Sequence, residues 1–257
     1  MTIRKMSFLE PCPMELYLPR RPGRYPLICL TPILGRLGFL EDLFMERHYA
    51  RFFAKHGFAA CLIDRPIFEF DPHQNLHQIQ NYLESSAKRS VVALDCMVKQ
   101  EEVDPQAVGS FGISFGAIVN ILWAARDPRL TANVFALAGG NIPEIIMTSR
   151  DPLMRSYARS IVKGTGLAGA ELQSALKNSI QIDPLQAAGF ISPGNVLLLL
   201  GIFDRVIRFR YGLGLRKALR NPETIFIPLG HYFTLLAAPF LIRRALTFFR
   251  KKWGKTS

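Results

Sequence analysis

Cysteine is scarce: Cys12, Cys29, Cys61 and Cys96 are the four in 257 residues, and none forms a Cys-x-x-Cys pair. So low a content excludes a disulfide-dense scaffold, and the wide spacing argues against a zinc site, so no metal is expected. Reduced thiols acting as small hydrophobes are expected instead. Long apolar runs are lacking too. None reaches the roughly 18 residues that a membrane-spanning helix needs. The run at 195–203 stops at Asp204 and the run at 235–242 stops at Arg243. Behind the charged opening Met1-Thr2-Ile3-Arg4-Lys5-Met6 there is no apolar segment of about 7–15 residues, so no signal peptide is expected and a cytoplasmic location is. Internal repeats and low-complexity tracts are absent. With 49% apolar and 20% charged residues, the composition excludes disordered and fibrous classes. The length suffices for one core without a disulfide or metal staple.

What is present alternates. Short apolar runs follow helical ones, which argues for an α/β fold with a mostly parallel sheet and helices on both faces. Residues 14–18 alternate as an edge strand does, and 5–9 is a candidate partner. Leu27-Ile28-Cys29-Leu30-Thr31 and residues 58–63 are continuous apolar runs, as buried parallel strands require. Residues 43–56 read as a helix closed by Gly57. Residues 64–75 read as a loop, and 76–100 as a long helix ended by Asp104-Pro105. A strand at 106–112, a helix at 115–126 and a strand at 132–138 follow. Residues 141–194 then hold helical pieces and no strand, an insertion between two strands. A strand at 195–200, a helix at 208–220, a strand at 223–228 and a helix opened by Pro239 and running to about Lys252 close the chain.

Gly112-Ile113-Ser114-Phe115-Gly116 fits the pattern G-x-S-x-G. Five residues with three fixed recur by chance, and a glycine-rich turn with an idle serine is the plain alternative. Context supplies the weight, because an apolar strand precedes the pentapeptide and a helix follows it. That setting is the nucleophile elbow: a sharp turn exposes the Ser114 hydroxyl, and Gly112 and Gly116 leave room for neighbouring backbone. The following helix N-terminus leaves the Phe115 N–H free to donate to an oxyanion.

A serine needs a base, and the base needs an acid to orient it. For this elbow the order is serine, then an acid after a later strand, then a histidine after the last strand. Asp204 is the first charge after the apolar run that begins at Val196, and His231 follows the last predicted strand. His48, His56, His73 and His77 all precede Ser114, so His231 alone stands in the required order.

With these residues the chain resembles the α/β-hydrolase superfamily, through Gly112-Ile-Ser114-Phe-Gly116, Gly201-Ile-Phe-Asp204-Arg-Val206 and Gly230-His231-Tyr232. The resemblance runs from about Leu27 to Arg250. The size and the Asp183-Pro184-Leu185-Gln186-Ala187 run are similar to the serine esterase and dienelactone-hydrolase-like branch. Dienelactone hydrolases carry a cysteine nucleophile where this chain has Ser114, and dehalogenases and epoxide hydrolases carry an aspartate.

The resemblance implies one α/β-hydrolase domain over 1–257, with 141–194 as a short helical cap. It implies a serine hydrolase of carboxylic esters, thioesters or lipid-like esters, working through an acyl-enzyme with Ser114, His231 and Asp204 as catalytic residues. An acyltransferase with the same three residues, or a non-catalytic binding protein that kept the fold, are the alternatives. The second oxyanion donor comes from the loop after the third strand, where the common His-Gly is replaced by Thr31-Pro32. Position matching gives the Ile33 N–H, with Leu34 as runner-up; Pro32 has none to donate. No organic cofactor is implied. In the cap, Ile142, Ile145, Ile146, Met147, Leu153, Met154, Tyr157, Ile161, Leu167 and Leu172 either line an acyl pocket or pack the cap onto the sheet.

Acidic residues thin out toward the C-terminus. Residues 204–257 hold twelve Lys/Arg against Asp204 and Glu223, so they carry +10 of the net +12. Such a bias suits an anionic partner. No nucleic-acid motif is present, so no nucleic-acid partner is expected. On the last helix, Phe240, Phe248, Phe249 and Trp253 lie among Arg243, Arg244, Arg250, Lys251 and Lys252, the composition of an interfacial anchor. Weak, salt-sensitive contact with an anionic membrane surface is the resulting expectation, against the plainer reading of a solvated basic end. Oligomeric state is not legible.

Overall fold

Eight strands form one sheet in the order β1-β2-β4-β3-β5-β6-β7-β8. The structure, a computed structural model, describes residues 3–9, 12–33, 46–64, 68 and 76–254. β1 (Ile3–Phe8) and β2 (Met14–Pro19) pair antiparallel, and β2 pairs antiparallel with β4 (Ala59–Ile63). The remaining pairs are parallel: β3 (Tyr25–Thr31) with β4 and β5 (Val103–Ile113), then β6 (Leu130–Ala136), β7 (Val196–Gly201) and β8 (Glu223–Ile227). The chain runs outward from β3 to β4, then returns to β5 on the other side. The order therefore reverses between β3 and β5, which opens a crevice at their C-terminal ends.

Buried side chains alternate between the two faces. Ile28 and Leu30 join a cluster with Phe53 of α1 (Glu46–Lys55) and with Leu241 and Phe249 of α10 (Ala238–Lys252). Leu27 and Cys29 point the other way, onto Leu94 and Met97 of α2 (Gln78–Met97) and Trp123 of α3 (Phe115–Ala124). Beside α3 on that face lie α7 (Pro184–Ala188) and α8 (Phe209–Ala218), against Leu198 and Leu200. Between β6 and β7 stand α4 (Ile142–Thr148), α5 (Pro152–Thr165), α6 (Gly169–Ser179) and α7, followed by one 3-10 turn. The sheet is thus covered on both faces, as its continuous apolar strands require.

The cysteines follow their expectation: Cys12, Cys29 and Cys61 are buried, Cys96 is half-buried, and all four are free thiols. Burial pushes the Cys61 thiol well up. Three expectations need correction. Residues 14–18 are not an edge strand, since β1 lies outside β2 and takes the edge. Pro105 lies inside β5, where the β3–β5 register shifts between Pro26 and Leu27; a bulge is where a strand tolerates a residue without an N–H. Trp253 is not left over as an anchor. It stacks on Phe249 at 5.3 Å between ring centroids, and a Cβ on Gly109 of β5 would meet its ring at 3.0 Å. Trp253 is half-buried and Phe248 and Phe249 are buried, so of the aromatics named for the anchor only Phe240 is exposed. The start of the expected 43–56 helix and most of the 64–75 loop lie outside the described residues.

Glu15 ties the antiparallel edge together. It accepts hydrogen bonds from Lys5 Nζ of β1 at 2.8 Å, Tyr17 Oη at 2.5 Å and Arg47 Nη2 of α1 at 3.0 Å. Burial pushes its carboxyl up, but the hydrogen bonds from Lys5, Tyr17 and Arg47 together outweigh burial and hold it at about 2, below 4.5. Because the folded value is the lower one, this contribution is present above pH 4.5 and is lost as pH falls toward 2. The urea midpoint of the wild type should therefore fall more steeply across that window than that of Glu15→Gln; parallel curves would contradict the assignment. Trp253→Ala should lower stability by about 2–3 kcal/mol in urea unfolding, as loss of a packed aromatic does. An unchanged midpoint would return Trp253 to the surface.

Candidate active site

The turn between β5 and α3 is held in a conformation that side chains rarely adopt. Ser114 has φ 56° and ψ −121°, and its N–H donates to Ala136 O at the end of β6 at 2.8 Å. Neither flanking glycine has room for a Cβ. One on Gly112 would lie 2.6 Å from the Gly116 carbonyl, and one on Gly116 would lie 2.2 Å from Thr31 O and 2.7 Å from Pro32 O. The first turn of α3 is thus pressed against the end of β3, at the reversal point of the sheet. Thr31 Oγ1 donates to Asn120 Oδ1 of α3 at 2.5 Å and fastens the same contact one turn further on.

Asp204 follows β7 on a short turn. That turn is fixed by Ile202 N–H to Ile227 O at 2.8 Å and Phe203 N–H to Leu229 O at 3.2 Å. Asp204 Oδ1 accepts the Val206 and Ile207 N–H groups at 2.8 and 2.9 Å. Its Oδ2 lies 2.7 Å from His231 Nδ1. His231 opens α9 (His231–Leu236) after β8 and Gly230, and its Nε2 is 3.0 Å from Ser114 Oγ. Asp204 and His231 are each 6% exposed. A carboxylate can only accept, so Nδ1 carries the proton and Nε2 is left to accept from the Ser114 hydroxyl. Three residues up to 117 positions apart thus form one hydrogen-bonded chain from acid to serine.

A cavity of about 90 Å³ opens over Ser114. Ile33 and Phe115, the expected oxyanion donors, both line it beside Ser114 and His231; Leu34 lies outside the described residues. Ile145 of α4 and Leu153 and Met154 of α5 also line it. Ile145 also belongs to the buried cluster that the other apolar residues between β6 and β7 form, whereas Leu153 and Met154 do not. Ile142, Ile146, Tyr157, Ile161 and Leu172 are buried against α2 and α3, with Met147 and Leu167 packed on the same cluster. Among the described residues no group of three or more His, Cys, Asp or Glu could hold a metal ion.

Two connections were not legible in the sequence. Asp151 caps α5 by accepting the Met154 N–H at 2.9 Å, and its other oxygen accepts the Tyr232 hydroxyl at 2.6 Å. Burial and this carboxylate push the Tyr232 phenol up. One residue earlier, Arg150 N–H donates to Arg205 O at 3.0 Å. Asp151-Pro152 does signal a helix start, but nothing local announces a partner 81 residues away.

No known protein family matches the chain, and no curated protein matches it. Solved structures do. The α/β hydrolase GrgF from Penicillium sp. sh18 superposes with a TM-score of 0.65 at 16% identity, over 99% of this chain and 100% of that one. TT1662 from Thermus thermophilus gives 0.68 at 16%, over 100% of both chains. A cold-adapted esterase from an Arctic intertidal metagenomic library gives 0.59 at 17%, over 95% of each.

The chain has the α/β-hydrolase fold.

The α/β-hydrolase fold explains why the three polar residues meet. Ser114, Asp204 and His231 follow the C-terminal ends of β5, β7 and β8, and parallel strands bring those ends to one edge of the sheet. In this fold the elbow tolerates no enlargement. Gly116→Ala should destabilise the chain by about 2–4 kcal/mol, because the clash is with Thr31 and Pro32 backbone rather than with a yielding side chain. Urea unfolding measures it, and a normal midpoint would show that the β3 loop gives way freely.

Proposed function

We propose that the chain is a serine hydrolase that cleaves carboxylic esters or thioesters through an acyl-enzyme, with the helices between β6 and β7 as its cap. The observation that carries this reading is the chain Ser114 Oγ–His231 Nε2 at 3.0 Å and His231 Nδ1–Asp204 Oδ2 at 2.7 Å, at the floor of a mainly apolar cavity. Ser114 Oγ attacks the carbonyl carbon while His231 Nε2 takes the hydroxyl proton. The Phe115 and Ile33 N–H groups hold the oxyanion. His231 then delivers the proton to the departing oxygen or sulfur, and the acyl group stays on Ser114. Water enters, gives its proton to His231 and releases the acid, restoring the serine. Asp204 keeps the imidazole in the productive tautomer and stabilises the imidazolium.

Likeness to an esterase structure at 17% identity supports the class and leaves the substrate to experiment. A fluorophosphonate probe should label Ser114 in the wild type, and mass spectrometry of the digest should place the adduct there. Ser114→Ala should fold, lose the label and lose roughly 10⁴-fold or more in turnover of a reactive short-chain ester. Labelling elsewhere, or a folded Ser114→Ala protein with wild-type turnover, overturns the assignment.

A further inference from the structure

One buried polar side chain near the site has no part in the proton relay. Every residue of α3 from Phe115 to Trp123 is buried. Asn120 is the one amide on that helix, and no hydroxyl or charged side chain joins it there. It is fully shielded from solvent. Its Oδ1 accepts the Thr31 hydroxyl at 2.5 Å, and its Nδ2 has no hydrogen-bond partner among the described residues. A leucine would carry no such donor into the core, so the amide stands there at a cost. Stability alone does not explain an asparagine at this position.

What the amide holds is the end of β3. Thr31 is the last residue of that strand, and Pro32 after it is buried. Ile33 then lines the cavity together with Ser114 and Phe115. The Pro32 ring fixes its own φ and confines Thr31 to extended backbone. Few free torsions therefore separate the Thr31 side chain from the Ile33 N–H. Along the same seam a Cβ on Gly116 would overlap the Thr31 and Pro32 carbonyls. That contact limits how near β3 and α3 can come, but it attracts nothing. The Thr31–Asn120 hydrogen bond supplies a directional link across the seam. Phe115 and Asn120 belong to one helix. The helix that carries one oxyanion donor thus grips the strand that leads to the other.

We infer that Asn120 is a positioning residue, which through Thr31 holds the Ile33 N–H in register with the Phe115 N–H. The inference rests on the reading of Ser114 as the nucleophile with those two oxyanion donors. Such donors act where charge develops in the transition state. Their misplacement therefore lowers kcat and spares KM.

The test compares Thr31→Val with Thr31→Val/Asn120→Leu. The first change breaks the hydrogen bond and leaves the whole amide unmatched, so its urea midpoint should fall below that of the wild type. The second removes the orphaned amide and should bring the midpoint back to the wild-type value or above. Activity should not follow stability. With 4-nitrophenyl butyrate, both variants should lose at least tenfold in kcat, with KM within twofold of the wild type. The Ki of 1-butaneboronic acid, a tetrahedral mimic that bonds the serine, should weaken at least tenfold in both. Thr31→Ser, which keeps the hydroxyl, should restore kcat to within twofold of the wild type. A double variant with wild-type kcat overturns the positioning role. So does a kcat that recovers together with the midpoint, or a double variant less stable than Thr31→Val, since Asn120 then serves packing alone. Labelling separates these failures from failure of the hydrolase reading. A wild type that neither takes the fluorophosphonate at Ser114 nor turns over the ester overturns that reading, and this role with it. A labelled, active wild type with an indifferent double variant overturns the role of Asn120 only.

Discussion

The rest of the site depends on one backbone contact, the first turn of α3 against the end of β3. Gly116 lies so close to the Thr31 and Pro32 carbonyls that a single added carbon would overlap them. That closeness forces Ser114 into a positive-φ conformation and lifts its side chain out of the turn. The strain is held from three sides: Ser114 N–H on Ala136 O, Thr31 on Asn120, and the packed sheet beneath. The same contact brings Ile33 and Phe115 to the rim of one cavity. A serine placed on an ordinary strand or helix would have none of these neighbours.

Burial gives the second constraint its force. Removing a carboxylate and an imidazole from water is costly unless their hydrogen-bonding groups are matched. Here two N–H groups and one imidazole face Asp204. Geometry at this pair is therefore dictated by the need for satisfaction. The turn after β7 and the start of α9 are its scaffold, locked together by hydrogen bonds between the two loops.

Much of this was legible in the sequence because parallel strands turn chain order into spatial order. A charge that ends a buried run, as Asp204 ends the run from Val196, has to emerge at the sheet's edge. A histidine after the final strand has to emerge at the same edge. Ser114, Asp204 and His231 could be named from that logic before their distances were known. What stayed hidden depends on contacts between distant segments that leave no local periodicity. Trp253 looked exposed because cations surround it in sequence, yet Gly109, more than a hundred residues earlier, makes its seat. Pro105 reads as a strand breaker, and only the register with β3 shows a bulge there. The apolar residues between β6 and β7 all share one composition, and only their packing shows that Leu153 and Met154 line the cavity, that Ile145 both lines it and joins the buried cluster, and that the rest hold the helices down.

Residues 150 and 151 join the helices over the cavity to both loops beneath it, one through Arg205 and the other through Tyr232. Arg205 is adjacent to Asp204, and Tyr232 is adjacent to His231. Lifting α5 would pull on the very loops that set the distance between acid and base. The position of α5 and the alignment of Asp204 with His231 are therefore linked through two hydrogen bonds, each ending one residue away from the carboxylate or the imidazole.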